Sequence, residues 1–105
     1  MDKNAVLKII SHFQKTLELK GIRINKTILF GSCAMGLQKE ESDIDLIVIS
    51  DDFKDKGYWE RIDLLSDVIY ELFEPIEAVA MTKEEWEKGG SFVIDYAKNG
   101  EVVYG

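Results

Sequence analysis

Leu29-Phe30-Gly31-Ser32-Cys33-Ala34-Met35-Gly36 leads, through residues 37–41, into Ser42-Asp43-Ile44-Asp45-Leu46-Ile47-Val48-Ile49. The first part is the end of an apolar run broken by a Gly-Ser turn. Gly31 permits close backbone approach, and the amides of Ser32 and Cys33 open a short helix whose N-terminus favours anions. The second part opens a near-continuous apolar run, which reads as a strand buried on both faces. Two carboxylates stand at i and i+2 where it begins. Alternate strand residues share a face, so Asp43 and Asp45 point the same way and repel unless a cation lies between them. Mg²⁺, a hard cation that takes oxygen ligands and keeps substrate phosphates and water in its shell, fits that place. A phosphate turn facing a carboxylate pair is the outline of a nucleoside triphosphate site.

The rest of the chain arranges itself around these two runs. Val6, Ile10, Phe13 and Leu17 recur at helical spacing over residues 4–20, and Lys20-Gly21 ends that helix. A strand is expected over Lys26–Phe30, a short helix over Ser32–Leu37 and a polar loop at Gln38-Lys39-Glu40-Glu41. After a charged turn at 51–57, Tyr58, Ile62, Leu65, Ile69 and Leu72 mark a long helix over 58–73, stopped by Pro75, the sole proline. A third strand follows at Ile76–Met81. Thr82-Lys83-Glu84-Glu85 has the reciprocal capping pattern of a helix start. Ser91 opens a last helix to about Lys98, and Val102-Val103-Tyr104 reads as a short extended tail. Helices alternating with three strands predict one α/β (α+β) domain over 1–105, a small mixed β-sheet flanked by helices. Trp59, Trp86, Tyr58 and Tyr70 lie on or beside helical stripes and are expected to pack in the core or an interface. His12 reads as a surface or boundary residue.

Composition narrows the partners. Hydrophobic residues make up 46% and charged residues 31% of the 105, a globular balance. The net charge of −7 and the scattered Lys and Arg argue against a long nucleic acid partner, whose affinity comes largely from phosphate neutralisation. A basic protein fits that charge better. A single Cys excludes an internal disulfide framework, so a reducing cytoplasm is the simplest expectation. No apolar run reaches the roughly 18 residues needed to span a bilayer, and the first residues do not begin a signal peptide; no membrane partner is expected.

Gly31-Ser32, ten residues, then Asp43-x-Asp45 resembles the signature of the DNA polymerase β-like nucleotidyltransferases. The small size and the text LFGSCAMG…SDIDLIV are similar to the minimal nucleotidyltransferase (MNT) branch, the antitoxin half of MNT–HEPN toxin–antitoxin pairs. The resemblance implies a polymerase β-like fold and a third carboxylate on a later strand, for which Glu77, set among Ile76, Ala78 and Val79, is the one suitable residue. It implies that Asp43, Asp45 and Glu77 hold a pair of Mg²⁺ ions and act in catalysis. Gly31, Ser32 and Cys33 would bind the nucleotide, ATP would be the substrate, and AMP would pass to a hydroxyl of a HEPN-type helical protein with release of pyrophosphate. Many relatives carry Arg where this chain has Cys33 and Met35, so two phosphate-facing cations are missing. Cys33 itself reads as a small packing residue rather than a nucleophile, with no His near it in sequence. Two other functions stay open: a non-catalytic module that neutralises a HEPN partner by occlusion, and nucleotidyl transfer to a small molecule.

Overall fold

The structure, a computed structural model, describes residues 2–34, 36 and 43–105. Met35, Leu37 and the loop expected at Gln38-Lys39-Glu40-Glu41 lie outside the described residues. The elements run α1 (Lys3–Leu19), β1 (Lys26–Phe30), α2 (Gly31–Ala34), β2 (Ile44–Ile49), a single 3₁₀ turn (Asp51–Phe53), α3 (Tyr58–Leu72), β3 (Ile76–Met81), α4 (Lys83–Lys88), α5 (Phe92–Ala97) and β4 (Glu101–Tyr104).

Local chemistry sets the boundaries. The Asp2 side chain accepts a hydrogen bond from the Ala5 amide at 2.8 Å and caps α1. α3 stops where Phe73 turns left-handed at φ 57, just ahead of Glu74-Pro75. At α4 the predicted reciprocal cap forms: the Glu85 amide donates to the Thr82 hydroxyl at 3.1 Å, and the Thr82 amide donates to Glu85 Oε1 at 2.7 Å. Ser91 caps α5 through the Ile94 amide.

The sheet has four strands in the order β3-β2-β1-β4. β1 is antiparallel to both β2 and β4, while β2 and β3 are parallel. The expectation of three strands is corrected: Glu101–Tyr104 is an edge strand on β1 rather than a free tail. Four residues give little alternation to read, and the pairing that makes them a strand joins distant parts of the chain. On one face, α1 and α3 cover Leu29, Ile44, Leu46, Val48 and Ile76 with Val6, Ile10, Phe13, Leu17, Leu65 and Val68. On the other, α4 and α5 cover Ile28, Ile47, Ile49 and Met81 with Trp86, Ile94 and Ala97. α4 and α5 are six residues each, and Asp43 and Glu77 remain exposed and Asp45 half-buried.

Of the aromatic residues expected in the core or an interface, those of α3 are not in the core of this chain. Trp86 packs partly against the second core, but Tyr58, Trp59 and Tyr70 are 70%, 71% and 81% exposed. Leu65 and Val68 do the burying instead. Tyr58 and Trp59 lie in the first turn of α3 and stack edge to face on each other, with ring centroids 5.0 Å apart. Their amphipathic rings tolerate water where an aliphatic chain of that size would not. No helix among the described residues is long and apolar enough to cross a membrane.

Candidate active site

Strand register assembles the site. Asp45 of β2 is the lateral partner of Glu77 on β3 and of Phe30 on β1, so all three side chains project from the same face. The Ile44 amide donates to the Pro75 carbonyl at 2.7 Å, which holds the start of β2 level with the start of β3. Asp43, two residues before Asp45, lies at the mouth of the same strand. The carboxylates at 43, 45 and 77 therefore converge although Glu77 is over thirty residues away in sequence.

The Gly31-Ser32 turn closes on this cluster from β1. Gly31 has φ +73, a conformation that other L-residues rarely adopt. A Cβ on Gly31 would stand 3.3 Å from Asp45 Cγ and 3.5 Å from its Cβ, and closer still to Asp45 Oδ2. Glycine here thus serves two ends: it makes the turn, and it leaves room for a carboxylate. Ser32 is half-buried behind it. Cys33 is fully buried in the core, and its thiol donates to the Asp43 carbonyl oxygen at 3.5 Å, a weak tie between the turn and the carboxylate strand.

Electrostatics reflect the crowding. Burial, then the charge of Asp43, push the Asp45 carboxyl above the usual range, and its contact with Glu77 only partly offsets this. Glu77 is pushed up chiefly by the charge of Asp43, then by burial, by the charge of Asp45 and by direct contact with both. Burial and the Asp45 charge also raise the Cys33 thiol, so it stays protonated and unreactive. Among the described residues no three His, Cys, Asp or Glu side chains stand ready-arranged as metal ligands. The charge of Asp43 nevertheless bears on both Asp45 and Glu77, an arrangement that a cation between the carboxylates would relieve.

The structure brings the sequence-predicted residues together. Gly31, Ser32, Asp43, Asp45 and Glu77 gather at one end of one sheet face. Cys33 joins them only through its backbone, because its side chain points into the core; the position does not offer a phosphate-facing side chain, and Met35 lies outside the described residues. Beside this cluster stand two rings that the sequence reading did not single out, Phe30 in register with Asp45 and Tyr96 edge to face on Phe30. Phe30 directly precedes the Gly-Ser turn, which was a usable signal; Tyr96 arrives from α5, with nothing local to announce it. A surface hollow of about 400 Å³ between Glu18, Arg23 and Tyr104 lies at the opposite end of β1 from these groups.

Comparison with known proteins bears on the family and the fold. The family described as Polymerase beta, Nucleotidyltransferase matches residues 8–105. A protein of Methanocaldococcus jannaschii named putative protein adenylyltransferase MJ0604 is 36% identical over 100 residues, which cover 92% of this chain and 96% of that protein. Among solved structures, that of a putative nucleotidyltransferase from Sulfolobus solfataricus superposes with a TM-score of 0.71 at 17% identity, over 95% of this chain and 80% of the other. A toxin–antitoxin structure with AMP-PNP superposes with a TM-score of 0.58 at 21% identity, over all of this chain and 74% of the other.

Proposed function

The chain belongs to the polymerase β nucleotidyltransferase family, and from that premise we propose that it transfers an adenylyl group from ATP to a hydroxyl of a partner protein. The observation that carries this reading is the register that sets Asp45 beside Glu77 with the Gly31 turn pressed against Asp45. Asp43, Asp45 and Glu77 suit Mg²⁺: all their donors are carboxylate oxygens, and two of the three carboxyls are raised by burial and mutual repulsion. They would hold a pair of ions, and bound there the metal would supply neutralisation of charge on the triphosphate.

The chain's own groups do the rest by position. Gly31 admits the phosphates close to the backbone, and the amides of Ser32 and Cys33 donate to their oxygens. The acceptor oxygen attacks the α-phosphorus, the bond to the oxygen bridging the β-phosphate breaks, and pyrophosphate leaves. The Glu77 carboxylate receives the acceptor's proton. A Glu77→Gln variant that binds metal normally yet keeps full transfer activity would remove Glu77 from that role.

A protein acceptor is supported by the 36% identity to a protein named as a protein adenylyltransferase, and by a net charge of −7 that suits a basic partner. The fold likeness to a toxin–antitoxin structure supports a toxin as that partner. We take it to be a helical HEPN-type protein with a tyrosine hydroxyl as acceptor, acting beside this chain in the cytoplasm. The test is to incubate the protein with labelled ATP, Mg²⁺ and the product of its neighbouring gene. Label is expected on the neighbour with wild type and not with Asp43→Asn/Asp45→Asn. No label where the two proteins form a complex refutes the reading.

One observation favours a second reading. Tyr58, Trp59 and Tyr70 of α3 are exposed and would suit an antitoxin that occludes its partner without chemistry. The same double variant separates the two: an occluding antitoxin still protects cells, and a catalytic one does not.

A further inference from the structure

We propose that Phe30 and Tyr96 form the wall against which the base of the nucleoside triphosphate stacks, with Tyr96 as the residue in contact; this rests on the nucleotidyl-transfer reading above. Across neighbouring strands, at one end of the face that α4 and α5 cover, a row runs Glu77, Asp45, Phe30. Carboxylates occupy two positions of that row and an aromatic ring the third. Tyr96 then stands on Phe30, ring centroids 5.7 Å apart and planes at 77°, an edge-to-face pair. A ligand lying across this row meets acid at one end and aromatic surface at the other, which matches the two ends of a metal-bound nucleoside triphosphate.

Three features suit the pair to this role. Phe30 is the residue immediately before Gly31, so the aromatic surface begins where the phosphate turn begins. The support is rigid: Ile94 and Ala97 of α5 are buried against the sheet on either side of Tyr96. Tyr96 nonetheless leaves 59% of its surface to water. Its phenol is therefore not needed to fill the core, and a planar heteroaromatic partner would desolvate it. A hollow lined by Tyr58, Arg61, Ile62, Ala78 and Ala80 lies between α3 and β3, beside the core that covers the opposite face of the sheet from Asp45 and Phe30.

The test measures binding of Mg-ATP to the full chain by calorimetry, with inorganic tripolyphosphate as a probe that has the phosphates but no base. Tyr96→Ala is expected to weaken ATP about tenfold, as loss of one aromatic–base stack does, and to leave tripolyphosphate unchanged. Tyr96→Phe should restore ATP binding. In the transfer assay, Tyr96→Ala should raise KM for ATP by a similar factor while kcat and the KM for the acceptor stay within about twofold. The proposal is overturned by unchanged ATP binding in Tyr96→Ala, by equal loss of ATP and tripolyphosphate, or by a rise in the acceptor KM instead. A wild-type chain that shows the Tyr96-dependent ATP binding but transfers nothing leaves the base wall standing and refutes the transfer reading. A wild-type chain that binds no ATP overturns both.

Discussion

Replacing Gly31 by alanine tests the central feature of the site, because it adds a single methyl group where backbone and carboxylate meet. Two costs can be separated. The first is conformational: a non-glycine residue in the left-handed region loses about 1–2 kcal/mol, and Gly31 sits at φ +73. The second is steric and local. The new Cβ would lie 3.3 Å from Asp45 Cγ and closer to Oδ2 than two unbonded atoms can stay, so the Asp45 carboxylate has to swing aside. Gly21 isolates the first cost. It has φ +90, ends α1 far from the site, and has nothing within 4 Å of its would-be Cβ.

Gly21→Ala should therefore lower Tm by about 5–10 °C, taking roughly 5 °C per kcal/mol for a domain of this size, and leave the transfer rate of the folded protein unchanged. Gly31→Ala should show a comparable fall in Tm. Its transfer rate should drop on the order of a hundredfold, the penalty for displacing a reacting group by about 1 Å, which corresponds to roughly 2.7 kcal/mol of transition-state stabilisation. The assays are thermal melting by circular dichroism and initial rates of label transfer from ATP, both below the lower Tm. A Gly31→Ala protein that melts like Gly21→Ala and transfers within threefold of wild type would refute the argument: Asp45 would then not need the space that Gly31 leaves.

Removing charge should do the opposite to stability. The Asp45 and Glu77 carboxyls are raised in the folded chain, so stability linked to them is present at low pH and lost as pH rises through their raised values. At neutral pH without divalent cations, Asp45→Asn should melt higher than wild type and the gap should close on acidification, while transfer falls about a hundredfold or more. Mg²⁺ should raise the wild-type Tm at neutral pH and do so less as pH falls through the carboxylate range; an equal effect on Asp43→Asn/Asp45→Asn would show that the ion binds elsewhere. Glu85 has the reverse sign. Burial would raise it, but Arg61 and the Thr82 amide and hydroxyl outweigh that and lower it, so its contribution is present above the ordinary carboxylate range and lost as pH falls through the lowered value. The Arg61 guanidinium also donates to the Phe53 and Lys56 carbonyls at 2.7 and 3.0 Å, and Arg61→Ala should destabilise by about 2–3 kcal/mol in urea denaturation without changing KM for ATP. Cys33, fully buried with a raised thiol, should resist alkylation in the native protein and react only on unfolding; fast native labelling would contradict its place in the core.

What could be read from the sequence divides along a physical line. The runs Lys26–Phe30, Ile44–Ile49 and Ile76–Met81 were legible to the residue because each is apolar, β-branched and bounded by a glycine, an acidic pair or a proline. The carboxylate pair was legible because i and i+2 fix a shared face whatever the fold around them. Glu77 was reached through family resemblance, and its meeting with Asp45 depends on a parallel register that no local pattern encodes. β4 escaped for the same reason: four residues at an edge take their structure from β1, not from their own composition. The aromatic residues mark the boundary most clearly. Helical spacing placed Tyr58 with Ile62 and Leu65 on one stripe, yet a stripe says only which residues share an angle, not how far the neighbouring sheet extends beneath them. The same argument bears on Cys33. In sequence it stands where relatives carry a cation, and the natural inference is a lost phosphate contact. In the fold its side chain is buried in the core, so any phosphate contact at this position would come from the backbone, which substitution does not remove. Binding in this copy of the site would thus depend on the turn's geometry more than on its side chains, and the methyl group introduced at Gly31 bears directly on that dependence.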